Sequence, residues 1–244
     1  MLNKKQDRKI QVFIAAMLVL NMAFWLSIRD KQSSWLNVPP APDKKYAAAY
    51  GLGDTSFAYR LNGLMIQNMG DVGGRTTPLD QYDYKTLSQW FFVQDDLDPI
   101  SDFTPNLASY YFGAVQKPEK LYPVLDYLEL VGQRAQAEKW RWLAQAVYLS
   151  RFRIKDKDRA LELANVLART ENKDVPAWVK QMPAFIMVDS GEKDAAYALM
   201  TKILQSSASN LHPNEIYSTK IYICTKILSE EEAKVNPLCD YDKK

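Results

Sequence analysis

Residues 140–168 read WRWLAQAVYLSRFRIKDKDRALELANVLA, and this stretch decides the fold class. Its apolar residues recur at spacings of three and four, which is the period of one face of an α-helix. The pattern predicts two helices, over residues 137–154 and 157–169, with a short turn between them. Two amphipathic helices joined by so short a connection pack side by side as an antiparallel pair.

The same helical pattern continues in both directions from this pair. Apolar residues at helical spacing, with capping and proline residues at the breaks, predict further helices over residues 55–69, 84–97, 118–133, 176–190, 193–206 and 213–228, and one that opens at Thr104. The helix over residues 55–69 is expected to turn Leu61, Leu64, Met65 and Met69 inward. Since no strand pattern is convincing, the chain is predicted to be all-α.

Alternate helices in this series start at nearly regular intervals. Their starts lie near residues 105, 137, 176 and 213, which are 32, 39 and 37 residues apart. A period in the thirties with two helices in each unit is typical of a helical solenoid.

One unit carries a more specific pattern. Trp140, Leu143, Ala144 and Val147 follow the W-x-x-L-G-x-x-Y spacing of a tetratricopeptide (TPR) first helix, with Ala for Gly and Val for Tyr, and alanines follow at 160 and 164 in the second helix. Residues 101–228 therefore resemble TPR repeats, although the first helix is about four residues longer. The resemblance implies a right-handed array whose concave groove binds a peptide or helix of another protein. An irregular bundle of the same helices is the alternative.

A second decisive stretch lies near the N-terminus. The run that begins at Ile10 and ends at Ile28 has 19 residues and no charged side chain. As a helix it is roughly 28 Å long, close to the ~30 Å hydrocarbon core of a bilayer. It predicts one transmembrane helix, and an uncleaved signal anchor is favoured over a signal peptide because no convincing A-x-A cleavage site follows.

The charges beside this run predict its orientation. Residues 1–9 carry four basic side chains and one acidic, whereas the residues just after the run carry Arg29 and Lys31 against Asp30. The positive-inside rule places residues 1–9 in the cytoplasm and the remainder outside, in the periplasm if the membrane is a bacterial inner membrane. Residues 29–50 contain Pro39, Pro40 and Pro42, and this composition predicts an extended linker.

The rest of the exported part divides into three segments. We predict a helical hairpin with a long glycine-rich loop over residues 51–100, the repeats over 101–228 and a C-terminal tail over 229–244. Cys224 lies in the last predicted helix and Cys239 in the tail. A disulfide between them is expected in an oxidising compartment, where it contributes ~3 kcal/mol, and its absence from protein isolated without reductant would argue against export.

Composition excludes several classes of site. The single His212 and two cysteines do not supply a two-histidine or four-cysteine metal site. Of 31 basic side chains six lie in residues 1–31, as do two of 29 acidic ones, so the exported part is mildly acidic and no nucleic-acid binding is expected. No catalytic set is identifiable, and no cofactor or metal site is predicted.

A few residues remain as candidate partner-binding sites. Asn21 and Trp25 lie in the apolar run, where the Asn21 amide either forms a hydrogen bond to another membrane helix or faces a water defect or a lipid headgroup. Arg75 follows two glycines in a loop whose context does not suit a P-loop. Tyr82 and Tyr84 begin an aromatic-rich stretch, for which core packing is the main interpretation and a binding groove the alternative.

The acidic run at residues 95, 96, 98 and 102 lacks the spacing of a calcium loop, so ion pairing and turn formation are expected there. Taken together, the sequence predicts a membrane-anchored scaffold or accessory subunit of a membrane protein complex. The alternative is a cell-envelope enzyme or ligand-binding module that uses the aromatic and Arg75 region.

Overall fold

The computed structural model describes residues 4–29, 37–72, 75–136, 138–170, 175–207 and 211–240. Its helices are α1 (Lys4–Ile28), α2 (Lys44–Ala49), α3 (Thr55–Gln67), α4 (Tyr84–Leu97), α5 (Phe103–Asn106), α6 (Tyr122–Gly132), α7 (Trp140–Tyr148), α8 (Lys157–Ala168), α9 (Ala177–Ser190), α10 (Lys193–Ser207), α11 (Pro213–Tyr222) and α12 (Glu230–Val235). Single 3-10 turns cover Leu79–Gln81, Phe112–Ala114, Pro118–Leu121 and Pro237–Cys239.

Apart from these helices, the described residues contain one very short antiparallel ladder. It joins β1 (Asp71–Val72) to β2 (Arg75–Thr76), with Asp71 opposite Thr76, and it closes the glycine-rich loop. The prediction of an all-α protein is confirmed, and most predicted helices begin and end within a few residues of the observed bounds.

Side-chain caps at the helix starts explain why these helix boundaries could be predicted from the sequence. Asp54, Asp83 and Asp156 precede α3, α4 and α8, and each accepts hydrogen bonds from backbone N–H groups of the first turn. His212 does the same before α11, where its Nδ1 accepts from the Asn214 N–H at 3.2 Å. The helix α9 ends at Gly191, whose φ of 87° is the left-handed conformation that favours glycine.

Three helices continue into a wider π-helical turn. Leu107–Tyr111 follows α5, Leu149–Ile154 follows α7, and Ile223–Ile227 follows α11. The turn after α7 extends that helix to Ile154, the end predicted for the helix over residues 137–154. Each of the three turns lies at the C-terminal end of its helix, and α9, the remaining helix of this alternate series, has no such turn.

Consecutive helices pack on one another from α6 to α10. The main core runs through this stack and includes buried alanines such as Ala146, Ala160 and Ala164. At Gly132 the end of α6 approaches α7 so closely that an added Cβ would lie 2.5 Å from the Leu143 nitrogen. A second core cluster joins α9 and α10 to the π turn that follows α11.

The orientation predicted for the helix at residues 55–69 is wrong for two of its four residues. Met69 is buried, but Leu64 and Met65 are exposed. The helix α3 instead packs through Ala58, Tyr59, Asn62, Gly63 and Ile66. The helical period was identified correctly, but the buried face is the one that carries Ala58, Asn62 and Ile66.

Two segments predicted without helix contain one. The linker predicted over residues 29–50 includes α2, whose Ala47 is buried, and Trp90 Nε1 donates to the Pro39 carbonyl at 2.8 Å. The predicted tail includes α12, capped by Ser229. Both helices have six residues, too short for a periodic sequence pattern to identify.

The predicted disulfide is present. It joins Cys224, in the π turn after α11, to Cys239, with their Cα atoms 5.7 Å apart. The bond ties the C-terminal turn to the end of the last long helix.

The helix α1 has the length and composition of a membrane span. The segment Arg8–Ile28 has a mean hydropathy of 1.9, and none of its residues is buried by the rest of the described chain.

Candidate functional site

Tyr82 and Tyr84, two of the predicted partner-binding residues, lie in the core. Each is 3% exposed. The Tyr84 hydroxyl donates to the Phe112 carbonyl at 2.9 Å, and the Tyr82 hydroxyl donates to the Met69 carbonyl. Burial, helped by the nearby Tyr111 and Asp71, raises the pKa of Tyr82 to about 12. These rings support the fold, and neither offers a surface to a partner.

The other predicted partner-binding residues are Asn21 and Trp25, in α1, and Arg75, in the glycine-rich loop. Asn21 and Trp25 lie one turn apart on one side of α1, and the Arg29 guanidinium lies 5.5 Å from the centre of the Trp25 ring. The side chain of Arg75 lies outside the described part of the chain. In its loop, the Thr77 N–H donates to the Gly70 carbonyl at 3.0 Å.

The acidic run forms ion pairs and a turn. Asp95 is buried and pairs with both terminal nitrogens of Arg134, and burial raises the pKa of Asp95 despite this pairing. Asp98 accepts from the N–H groups of Ile100 and Ser101 at 3.1 and 3.2 Å. Among the described residues, no three His, Cys, Asp or Glu side chains form a group suited to a metal.

Lys139 is the member of this region that the sequence did not single out. Its side chain is fully buried, and its Nζ donates to the carbonyls of Ile100 and Ser101 at 2.7 and 2.8 Å and to Asp102 at 2.6 Å. The Trp142 Nε1 donates to the same Asp102 oxygen at 2.7 Å. Lys139 therefore fastens the turn after α4 to the start of α7.

A groove outside these regions is the best candidate for a binding site. Three neighbouring clefts of about 380, 370 and 370 Å³ are lined by α7, α9, α11 and the turns that follow α5 and α7. The first two share Tyr148, and the last two share Phe185 and Tyr222. We call this continuous surface the aromatic groove.

Large aromatic side chains dominate the aromatic groove. Tyr110, Tyr148 and Phe152 are each about half exposed, at 59%, 49% and 51%. The Tyr148 and Phe152 rings lie 5.0 Å apart, and those of Phe185 and Tyr222 lie 4.8 Å apart. Exposed apolar side chains that adjoin one another in a concave surface are typical of binding sites.

Two arginines in the groove are held by the protein itself. Arg151 forms an ion pair with Asp189, and its guanidinium lies 4.5 Å from the centre of the Phe152 ring. Burial lowers the pKa of Arg151. Arg153 donates to the Val115 carbonyl at 2.7 Å. Because both cations are engaged, the surface offered to a ligand is mainly aromatic and aliphatic.

The walls of the groove are fixed to one another by polar contacts. The Gln181 side-chain amide donates to the Thr219 hydroxyl at 2.7 Å, and Glu215 accepts from the Ala177 N–H at 3.1 Å. These bonds join α9 to α11. A surface preorganised in this way loses less conformational entropy when it binds.

Sequence reasoning did not assign these aromatic residues to a site. The sequence did contain a pattern that could have indicated them. In the first helix of each predicted pair, counted with the turn that continues it, an aromatic residue lies in or just before the last turn. No family model, curated protein or solved structure matches this chain.

Proposed function

We propose that this chain is a membrane-anchored scaffold or accessory subunit of a membrane protein complex, and that its helical domain binds a segment of another protein. The aromatic groove is the observation that carries the proposal. It combines exposed rings, a concave shape and fixed walls on one surface.

A TPR-like arrangement of the helix pairs is the finer part of the proposal. Two features support it: consecutive helices pack on one another from α6 to α10, and the groove is lined by the alternate helices α7, α9 and α11 and by the turns after α5. In a helical solenoid, alternate helices line the same face of the array. The groove would then be its concave face.

The topology proposed is an N-terminus in the cytoplasm and a domain in the periplasm, with α1 in a bacterial inner membrane. The basic excess in residues 1–9 supports the orientation. The Cys224–Cys239 bond agrees with an oxidising compartment.

The groove favours a ligand with apolar side chains spaced along its length. Its clefts are separated by the rings of Tyr148, Phe185 and Tyr222, so that several anchoring side chains enter different clefts. An amphipathic helix or an extended peptide of a partner protein has this character. Asn21 and Trp25 in α1 supply a second contact, with a membrane helix of the same complex.

Photo-crosslinking in intact cells tests the proposal. A photoreactive phenylalanine at Tyr148 is expected to form an adduct with another protein, identified by mass spectrometry. The matched control is the same residue at Leu130, which is 49% exposed on α6 and lies outside the groove. Tyr148→Ala together with Phe152→Ala should remove a large complex from a native gel. Adducts from neither position, with the wild-type protein monomeric after gentle solubilisation, would refute it.

A further inference from the structure

The outer face of α3 is apolar and largely exposed in the described part of the chain. Phe57, Leu64 and Met65 are 48%, 56% and 39% exposed, and Leu61 between them is half-buried. At 3.6 residues per turn these four side chains fall within an arc of about 100°. This width is typical of a helix that lays one face against an apolar surface.

The opposite face of α3 is already occupied. The Asn62 side chain donates to the Ala47 carbonyl of α2 at 3.3 Å, and the Gln94 side chain of α4 donates to the Tyr59 carbonyl at 3.0 Å. A Cβ at Gly63 would lie 3.1 Å from the ring of Phe103. The helix α3 is therefore held in the domain by the face opposite its four apolar side chains.

The helix α2, which packs against α3, and the turn after it carry further exposed apolar side chains. Tyr46 in α2 and Tyr50 just after it are one turn apart and are 67% and 52% exposed, and Leu52 in the turn that follows is 94% exposed. Lys44 and Lys45 open this helix, and both are exposed. We call this surface, from Lys44 to Met65, the α2–α3 outer face. Several exposed apolar side chains on two adjacent helices are typical of an interaction site.

The chain immediately before α2 is fixed to the domain. The Asn37 side chain donates to the Gln81 carbonyl at 3.1 Å, Val38 is buried, and Trp90 holds the Pro39 carbonyl. Arg29, at the end of α1, precedes Asn37 by eight residues. Eight residues of fully extended chain span at most about 29 Å. The domain is thus tethered close to the end of α1, and α2 begins a few residues beyond the attachment point.

We propose that the α2–α3 outer face lies against the lipid headgroups of the membrane that α1 spans. This inference rests on the anchoring role of α1 proposed above. The tether keeps this face near the bilayer whichever protein occupies the aromatic groove. Tyrosines favour the membrane interface, apolar side chains such as Leu64 enter the boundary with the acyl chains, and lysines pair with anionic lipids. Docking in this way orients the domain and its groove relative to the membrane.

Depth measurement with spin labels tests the contact. The full-length chain is reconstituted in phosphatidylcholine vesicles containing phosphatidylglycerol, with a nitroxide on Leu64→Cys. Labelling without reductant preserves the Cys224–Cys239 bond. The measured quantity is the ratio of the label's collisions with oxygen to its collisions with a water-soluble nickel complex. We expect this ratio to be several-fold higher for the Leu64→Cys label than for the matched label on Leu130→Cys. Adding Lys44→Glu and Lys45→Glu should reduce this ratio.

A third label, on Ala23→Cys in α1, separates the two proposals. If the Ala23 label is in lipid and the Leu64 label is in water, docking is refuted and the anchor stands. If both labels are in water, the anchoring proposal fails as well. A Leu64 label shielded from both oxygen and nickel would indicate a protein neighbour on this face and would also refute lipid docking.

Discussion

Replacing Lys139 by methionine should destabilise the domain severely. The ammonium donates to two carbonyls and to Asp102 over distances of 2.6 to 2.8 Å, and its side chain is fully buried. Methionine has a similar length but no donor, so the carbonyls of Ile100 and Ser101 lose their charged partner. Breaking a buried pair by removing one member costs ~3–5 kcal/mol. We expect about 3 kcal/mol, at the lower end, because Asp102 is 57% exposed and retains the Trp142 donor.

The assay is urea unfolding of the full-length protein in detergent, followed by tryptophan fluorescence. With a slope of about 2 kcal/mol per M, the midpoint should fall by roughly 1.5 M. Lys117→Met is the matched control, since Lys117 is 54% exposed and pairs with Asp80 at 3.1 Å. Such a surface pair contributes at most about 1 kcal/mol. Equal midpoints for the two variants would refute the assignment of Lys139 as the clamp between α4 and α7.

Two further substitutions test the packing and the capping of the helices. Gly132→Ala should cost ~1–3 kcal/mol, because its Cβ would overlap Leu143 and force α6 away from α7; an unchanged unfolding midpoint would contradict this close approach. Asp83 caps α4, and hydrogen bonds from the Thr86 hydroxyl and then from backbone N–H groups lower the pKa of its carboxyl group. The ionised carboxylate therefore stabilises the folded protein at pH values above the pKa of Asp83 in the unfolded chain. This stabilisation is lost as the pH falls through the lower pKa of the folded state. The free energy of unfolding should therefore fall more steeply between about pH 5 and pH 2 in the wild type than in Asp83→Asn, and parallel curves would contradict the assignment.

The local features of this protein were predictable because neighbouring residues determine them. Caps such as Asp54 and Asp83 mark helix starts, and the uncharged run from Ile10 to Ile28 identifies the long apolar helix. With only two cysteines in the chain, Cys224 and Cys239 had a single possible intramolecular pairing. Each of these depends on short-range chemistry that the sequence states directly.

Which face of a helix is buried depends on the elements that pack against it. Helical periodicity shows that a helix has an apolar face, but α3 turns its Leu64 outward because α2 and α4 approach the side that carries Ala58 and Gly63. The same difficulty applies to the aromatic residues. Tyr84 and Tyr148 are alike in sequence terms, yet one is in the core and the other lines the groove.

The sequence by itself therefore determined the helices, the apolar N-terminal helix and the disulfide. Only the tertiary structure decided that Tyr82 and Tyr84 are internal, that Lys139 is a buried clamp and that the aromatic groove runs across alternate helices. The physical reason is that burial is a property of contacts between segments distant in the chain. The Lys139 ammonium is stable in the interior only because the turn after α4, 37 to 39 residues earlier, surrounds it with oxygen atoms.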